Sequence, residues 1–172
     1  MTSSYVVGLY NELQNFDIKI WIDGGWAVDA LLKEQTRAHE DLDIAIEHDD
    51  MSRLKEYLEK LGYMEVGREE DKKWDLVLGD DMGHEIEVHS FIRDSEGQVV
   101  DEECWDGYSR NSLDGVGLID GQMVRCVSLE QIIKTHDSSK RKFKESDYKD
   151  MAALSKKLGV KRKPSEGPIA HY

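Results

Sequence analysis

Residues 21–47, WIDGGWAVDALLKEQTRAHEDLDIAIE, contain the features on which the expected fold depends. They predict a strand, a tight turn at Gly24 and Gly25, a helix, a loop and a second strand. Glycine lets a backbone approach a phosphate closely, and the N–H groups at the start of a helix favour anions. Asp41 and Asp43 are two residues apart on the second strand, so their side chains should point to the same face. The stretch therefore predicts a phosphate site followed by a carboxylate pair, an arrangement suited to metal-dependent nucleotide chemistry.

The rest of the chain shows helical and strand patterns around this stretch. Helices are predicted over 4–15, 26–32, 51–61, from 128 onward and over 146–158. Strands are predicted over 16–22, 42–46, 74–78 and 85–92, with a last hairpin that turns at Asp120-Gly121. We expect an α/β fold with a mixed sheet flanked by helices. Residues 1–127 would form the core, 128–160 a short C-terminal helical part packed on it, and 161–172 a loose tail.

The composition limits the partners and the compartment. The chain has 36 acidic and 23 basic residues and a formal charge of −13, whereas a nucleic-acid partner requires clustered Lys and Arg. The balance is compatible with a cationic small molecule. Cys104 and Cys126 have no metal-ligand spacing, which indicates reduced thiols. The sequence contains no signal peptide and no apolar run of the ~20 residues that cross a membrane, so we expect a cytoplasmic protein without membrane contact.

A third acid is expected beside the carboxylate pair. Between residues 85 and 89, Ile86 and Val88 should face the core and the acids Glu85 and Glu87 the opposite side. Acids that alternate along a strand are usually just solvated, and a glycine pair is usually just a turn. Carboxylates that converge on one sheet edge raise one another's pKa unless a cation binds them. Mg²⁺ is normally held by one or two carboxylates together with substrate phosphates, so the combination predicts a magnesium site.

The opening pattern resembles a known family. W-h-D-G-G-W-x-V-D, where h is apolar, covers residues 21–29, and R-x-H at Arg37 and His39 comes just before the aspartate pair. This string is similar to the lincosamide nucleotidyltransferases and the related aminoglycoside 2″-nucleotidyltransferases, which have the polymerase β-like nucleotidyltransferase fold. The resemblance continues at Glu87, where the family has its third acid. The family usually has Asp at that position, so Glu85 remains an alternative for the third acid.

The resemblance implies a reaction and a set of site residues. A Mg²⁺-dependent enzyme would transfer a nucleoside monophosphate, with ATP as the first candidate donor, to a hydroxyl of a small cationic molecule. A lincosamide or an aminoglycoside antibiotic is the leading acceptor class. The catalytic and metal-binding residues would be Asp41, Asp43 and Glu87, with Glu87 either a metal ligand or the general base. The nucleotide-binding residues would be Gly24, Gly25, Trp26, Arg37, His39 and Lys140, with Lys144 as an alternative to Lys140.

Substrate and partner predictions are less defined. The loop over 101–111 is acidic and aromatic, and Glu102, Glu103 and Tyr108 are candidates to bind a cationic substrate. A homodimer is possible because family members often build the substrate site across two subunits. Two other functions stay open. The chain could be an antitoxin-like nucleotidyltransferase that modifies a protein, or a nucleotide-binding module of the same fold without catalysis.

Overall fold

The structure, a computed structural model, describes residues 1–67, 75–100, 107–136 and 142–160. The helices in these ranges are α1 (Ser3–Asn15), α2 (Gly24–Leu32), α3 (Met51–Lys60), α4 (Leu129–Thr135) and α5 (Glu145–Leu158). The strands are β1 (Ile20–Ile22), β2 (Asp41–Glu47), β3 (Met64–Glu65), β4 (Asp75–Gly79), β5 (Glu85–Phe91), β6 (Gly115–Ile119) and β7 (Gln122–Cys126). The expected α/β class with a mixed sheet is confirmed.

The seven strands form one sheet in the order β3-β4-β5-β2-β1-β7-β6. The pairs β2–β5 and β1–β7 are parallel, and the other neighbours are antiparallel. In the β2–β5 pair Asp43 lies opposite Glu87, and Asp41 lies opposite Glu85. Because paired residues of neighbouring strands share one face of a sheet, this register places the predicted acids side by side.

Helix α2 packs tightly against the sheet and carries its first turn to the sheet edge. Gly117 on β6 lies directly under the helix, where a Cβ atom would come within 2.4 Å of the Ala30 backbone. Trp26, Ala27, Val28 and Ala30 of α2 are buried, as are Leu42, Ile44 and Ile46 of β2. The predicted apolar face of β2 is therefore in the core, and Asp41 and Asp43 are left on the partly exposed side.

Several predicted boundaries differ from the structure. The strand predicted over 16–22 contains only 20–22, because Asp17 adopts a left-handed backbone with φ of 56° after α1 ends. The helix predicted over 51–61 ends at Lys60, and Leu61 is 47% exposed. The predicted hairpin at Asp120-Gly121 is confirmed, and both turn residues have left-handed backbones.

Other predictions fall outside the described residues, namely those at Trp74, Cys104 and the tail over 161–172. Cys126 is a buried free thiol. Among the described helices, none has both the length and the apolar character needed to cross a membrane. The division of the chain at residue 127 stays a prediction.

Candidate active site

A cavity of about 420 Å³ opens between the strand ends of the sheet and helices α4 and α5. Its sheet side carries the ends of β1, β2 and β5 and the first turn of α2. Its helix side carries the end of α4 and the start of α5. The residues that line it are Asp23, Gly24, Gly25, Arg37, Asp41, Asp43, Glu87, His89, Thr135, His136, Lys144, Ser146, Asp147 and Asp150. Six of the residues predicted from the sequence thus lie around one cavity, together with the alternative Lys144.

The contact between Gly24 and Asp43 shapes the sheet side of the cavity. Gly24 has φ of 54°, and a Cβ atom added there would lie 1.9 Å from Asp43 Oδ2. The Gly24 N–H donates to Asp23 Oδ1 at 2.7 Å, and the Asp23 N–H donates to the Asp43 carbonyl at 2.8 Å. We predicted that this glycine turn presents N–H groups to phosphates. At Gly24 the glycine instead makes room for a carboxylate, and its N–H is bonded to Asp23.

Three predicted acids meet in the cavity: Asp41, Asp43 and Glu87. Glu85, the alternative third acid, is paired in register with Asp41 but is absent from the lining. Burial is the main cause that raises the pKa of the Asp43 carboxyl to about 7, against the opposing effect of nearby His89. The charges of Asp41 and the other neighbouring carboxylates raise the pKa further. The site therefore disfavours the charge on Asp43 when no cation is bound.

His89 is a buried cation beside these acids. Its Nδ1 donates to Asp75 Oδ1 at 3.1 Å, across the β4–β5 pair. Burial lowers the pKa of His89, but the hydrogen bond to Asp75 and the neighbouring carboxylates raise it to about 9 overall. The alternation of the strand predicts that His89 shares a face with Glu85 and Glu87. Its position shows that the histidine partly balances the negative charge of the cavity.

The donor chemistry of the cavity fits Mg²⁺. Carboxylate oxygens are the ligands that Mg²⁺ prefers, and a cation would reverse the effect that raises the pKa of Asp43. Within the described ranges, no set of three or more acidic, histidine or cysteine side chains is arranged to hold a metal ion. Asp41 and Asp43 line the cavity and are the candidate donors, and two carboxylates leave further coordination positions for phosphate oxygens.

Arg37 reaches the cavity but is already paired. Its Nε and Nη2 atoms donate to the two carboxylate oxygens of Asp150 on α5, at 2.7 and 2.8 Å. This hydrogen bonding raises the pKa of Arg37 further, although burial opposes it. The guanidinium also lies over Gly25, where a Cβ atom would be 2.3 Å from Nη2. Gly25 therefore makes room for the side chain that connects the loop before β2 to α5.

Two of the predicted nucleotide contacts are buried instead and do not line the cavity. His39 is 3% exposed, and its Nε2 bonds to Asp29 Oδ2 at 2.5 Å. The Trp26 ring lies 4.4 Å from the His39 ring, and its Nε1 donates to the Asp41 carbonyl at 3.1 Å. The Asp29 carboxylate also accepts from the N–H and hydroxyl of Thr36. In the structure neither His39 nor Trp26 lines the cavity, and their assignment as nucleotide contacts stays a prediction.

The remaining site predictions concern Lys140, Glu102, Glu103 and Tyr108. Lys140, Glu102 and Glu103 lie outside the described residues. Tyr108 is fully buried, and its hydroxyl donates to Asp23 Oδ2; its assignment as a substrate contact stays a prediction.

On the helix side of the cavity, sequence reasoning named Lys144 alone and missed the other lining residues. Thr135 and His136 end α4, and His136 Nδ1 donates to the Ile132 carbonyl at 2.9 Å. Lys144 is the N-cap of α5, and its N–H donates to Asp147 at 2.6 Å. The signal in the sequence was the run of Lys and Asp at three-residue spacing near 144–150, which places these side chains on one face of a helix.

Comparisons with known proteins agree with this geometry. The sequence model of the family described as aminoglycoside-2″-adenylyltransferase matches residues 5–154. A 2″-aminoglycoside nucleotidyltransferase of Klebsiella pneumoniae is 31% identical over 123 residues, which are 68% of this chain and 62% of that protein. A lincosamide resistance protein of Staphylococcus haemolyticus is 34% identical over 59 residues, which are 34% of this chain and 35% of that protein.

Solved structures have the same fold. The lincosamide antibiotic adenylyltransferase LnuA, lincomycin-bound, has a TM-score of 0.77 and 19% identity, over 90% of this chain and 97% of its own. ANT(2″)-Ia in complex with adenylyl-2″-tobramycin has a TM-score of 0.74 and 20% identity, over 91% of this chain and 89% of its own. The fold, the position of the aspartate pair and the family match over 5–154 lead to one conclusion: this chain belongs to the aminoglycoside-2″-adenylyltransferase family.

Proposed function

We propose that this chain is a Mg²⁺-dependent nucleotidyltransferase that transfers a nucleoside monophosphate to a hydroxyl of a small cationic antibiotic. The first candidate donor is ATP, and the acceptor classes are lincosamides and aminoglycosides. Family membership supports the reaction class, and the relatives named for these two antibiotic classes support the acceptors. The matches span only 35% and 62% of those relatives, so the acceptor is part of the proposal.

One observation carries the proposal. The carboxylates of Asp41 and Asp43 line the same cavity as the first turn of α2, and Lys144 lies on its helix side. The start of a helix favours phosphate, and a carboxylate pair favours Mg²⁺. A nucleoside triphosphate in this cavity would thus have groups that stabilise its negative charge on both the sheet side and the helix side.

Asp41 and Asp43 would hold Mg²⁺, which when bound supplies charge stabilisation for the phosphates. Lys144 would add positive charge to the phosphates from the start of α5. The acceptor oxygen forms a bond to the α-phosphorus, and the bond from this phosphorus to the bridging oxygen breaks. Pyrophosphate leaves with the electron pair, and the acceptor hydroxyl loses its proton.

Glu87 is proposed as the group that receives this proton. It lies opposite Asp43 in the β2–β5 pair and lines the cavity. A base must remain available for a proton, whereas a carboxylate bound to a metal is held in the ionised form. With Asp41 and Asp43 assigned to the metal, we therefore favour the base role for Glu87 over the role of third ligand.

The experiment that tests the proposal is mass spectrometry of reaction mixtures. The protein is incubated with Mg²⁺, each of the four nucleoside triphosphates, and a panel of lincosamides and aminoglycosides. We expect a product that is heavier by one nucleotidyl group. The variants Asp41→Asn and Asp43→Asn should reduce turnover by at least about 100-fold because the metal site is lost. Asp49→Asn is the matched control, because Asp49 is an exposed acid outside the cavity.

Two results would overturn the proposal. Full activity in either Asp41→Asn or Asp43→Asn would remove the metal assignment. Nucleotide binding without product from any acceptor would favour the non-catalytic module or a protein acceptor. The cytoplasmic location, the absence of a nucleic-acid partner and the possible homodimer stay predictions.

A further inference from the structure

Tyr108 connects the segment before β6 to the start of α2. The residue is 0% exposed, and its hydroxyl donates to Asp23 Oδ2. The other oxygen of the same carboxylate, Oδ1, accepts the Gly24 N–H at 2.7 Å. Asp23 itself is only 6% exposed. Each of the two carboxylate oxygens of Asp23 therefore accepts a hydrogen bond.

Asp23 is an additional acid next to the proposed metal pair. Its N–H donates to the Asp43 carbonyl at 2.8 Å, and its side chain lines the same cavity. If this carboxylate rotated, the first turn of α2 would lose its anchor, and Gly24, which lies against Asp43 Oδ2, would no longer keep Asp43 in place for a divalent cation. Two hydrogen bonds oppose such a rotation, because each would have to break in a buried environment.

The position of Tyr108 is itself determined by neighbouring elements. The Tyr108 ring meets the Phe91 ring of β5 edge to face, with 6.1 Å between the centroids. On either side of it, Lys134 on α4 donates to the Gly107 carbonyl, and the Ser109 N–H donates to Ser112 Oγ at 2.8 Å. The hydroxyl therefore occupies a place that β5 and α4 define, independently of any ligand.

We propose that Tyr108 is a positioning residue of the nucleotidyl-transfer site, which holds Asp23 on the first turn of α2 and leaves Asp41 and Asp43 as the metal-binding pair. This inference rests on the proposed function. Tyr108 does not touch a substrate; it acts through Asp23. This positioning role differs from the substrate contact that the sequence suggested for Tyr108.

The test removes only the hydroxyl, with Tyr108→Phe in the full chain. We expect the Mg²⁺ concentration for half-maximal activity to rise by about 10-fold or more, the size that loss of a hydrogen bond to a charged group can produce. The same shift is expected in the Mg²⁺ concentration for half-maximal thermal stabilisation, measured with Mg²⁺ alone. The matched control is Tyr10→Phe, because Tyr10 is 2% exposed and its hydroxyl accepts the Arg125 N–H at 3.0 Å, outside the cavity. Its Mg²⁺ midpoint should stay at the wild-type value.

A second comparison separates positioning from stability. In an Asp23→Asn background, Tyr108→Phe should change the Mg²⁺ midpoint by less than about 2-fold, because the carboxylate through which Tyr108 acts is gone. If Tyr108→Phe alone cannot be purified, the comparison of Asp23→Asn with and without Tyr108→Phe still tests the proposal. The proposal is overturned if Tyr108→Phe keeps the wild-type Mg²⁺ midpoint, or if its shift is unchanged in the Asp23→Asn background.

The failure of the inference differs from that of the proposed function. If wild type forms product and Tyr108→Phe behaves like Tyr10→Phe, the positioning role is wrong and the proposed function stands. If wild type neither forms product nor is stabilised by Mg²⁺, both are overturned.

Discussion

Gly24 and Asp43 are in direct contact, since a Cβ atom at Gly24 would lie 1.9 Å from Asp43 Oδ2. The absence of a side chain at Gly24 therefore leaves space for the carboxylate that is proposed to bind the metal. The start of α2 and the start of β2 meet at this point, and neither can move without the other. This contact explains why a glycine after β1 and an acid on β2 belong to one site.

Replacement of Gly24 by alanine should remove activity. Gly24 has φ of 54°, and Gly159 has φ of 67° with open space around it. Left-handed alanine costs about 1–2 kcal/mol at either position. Only Gly24→Ala also displaces Asp43, and a displacement of this kind can reduce turnover by about 100-fold. Turnover and urea unfolding of both variants test this, and equal activity in the two would contradict it.

The Arg37–Asp150 ion pair should stabilise the fold strongly. Asp150 is 2% exposed in its side chain and Arg37 20%, so Arg37→Ala leaves a buried carboxylate without its partner. We expect a loss of about 3 kcal/mol in the free energy of unfolding. A double-mutant cycle with Asp150→Ala should give a coupling energy of about 2 kcal/mol.

The exposed pair Arg53–Asp50 is the control for that cycle. Its side chains are 51% and 27% exposed, at a similar distance of 2.8 Å. Exposed pairs contribute only about 0–1 kcal/mol. Equal coupling energies in the two cycles would show that burial of Asp150 has no effect.

Replacement of His39 should affect stability more than nucleotide affinity. His39→Ala leaves the buried Asp29 without its partner at 2.5 Å, which should cost on the order of 3 kcal/mol. Thr36→Val removes one hydroxyl bond to the same carboxylate and should cost about 1–2 kcal/mol. Thermal unfolding and nucleotide titration of both variants test this. An unchanged melting temperature with weakened nucleotide binding in His39→Ala would support direct phosphate contact.

The metal-free protein should lose stability as pH rises through the range in which Asp43 titrates. The pKa of Asp43 is raised from 3.8 to about 7 in the fold, so the folded state binds more protons than the unfolded state between these values. Stability therefore falls as pH increases from 4 to 7, by up to about 4 kcal/mol. Below pH 4 both states are protonated at this group, and above pH 7 the loss is complete.

Urea unfolding of EDTA-treated protein at several pH values measures this effect. Asp43→Asn is the comparison, because asparagine keeps the shape of the side chain and removes the titrating carboxyl group. The wild-type curve should fall more steeply than the variant curve between pH 4 and 7, and Mg²⁺ should reduce the difference at pH 7. Parallel curves would mean that Asp43 does not titrate as described.

Much of the fold could be predicted because it depends on local patterns. The alternation of Leu42, Ile44 and Ile46 buries one face of β2 whatever its neighbours are, and it leaves Asp41 and Asp43 on the other. The turn at Asp120-Gly121 was predictable for the same reason, since glycine and aspartate adopt left-handed backbones readily. The end of the strand before residue 20 was missed, because the left-handed Asp17 has no strong signal of its own.

The sequence by itself determined the strands, the turns, the acids of β2 and the family. Only the tertiary structure decided which polar groups meet: Arg37 with Asp150, His39 with Asp29, and Tyr108 with Asp23. The physical reason is the range of the interactions. Hydrophobic periodicity acts over a few residues, whereas an ion pair that joins residues 37 and 150 forms only after helices and sheet have packed. For this reason Arg37, His39 and Tyr108, which the sequence suggested as nucleotide or substrate contacts, are found paired with acids other than Asp41 and Asp43.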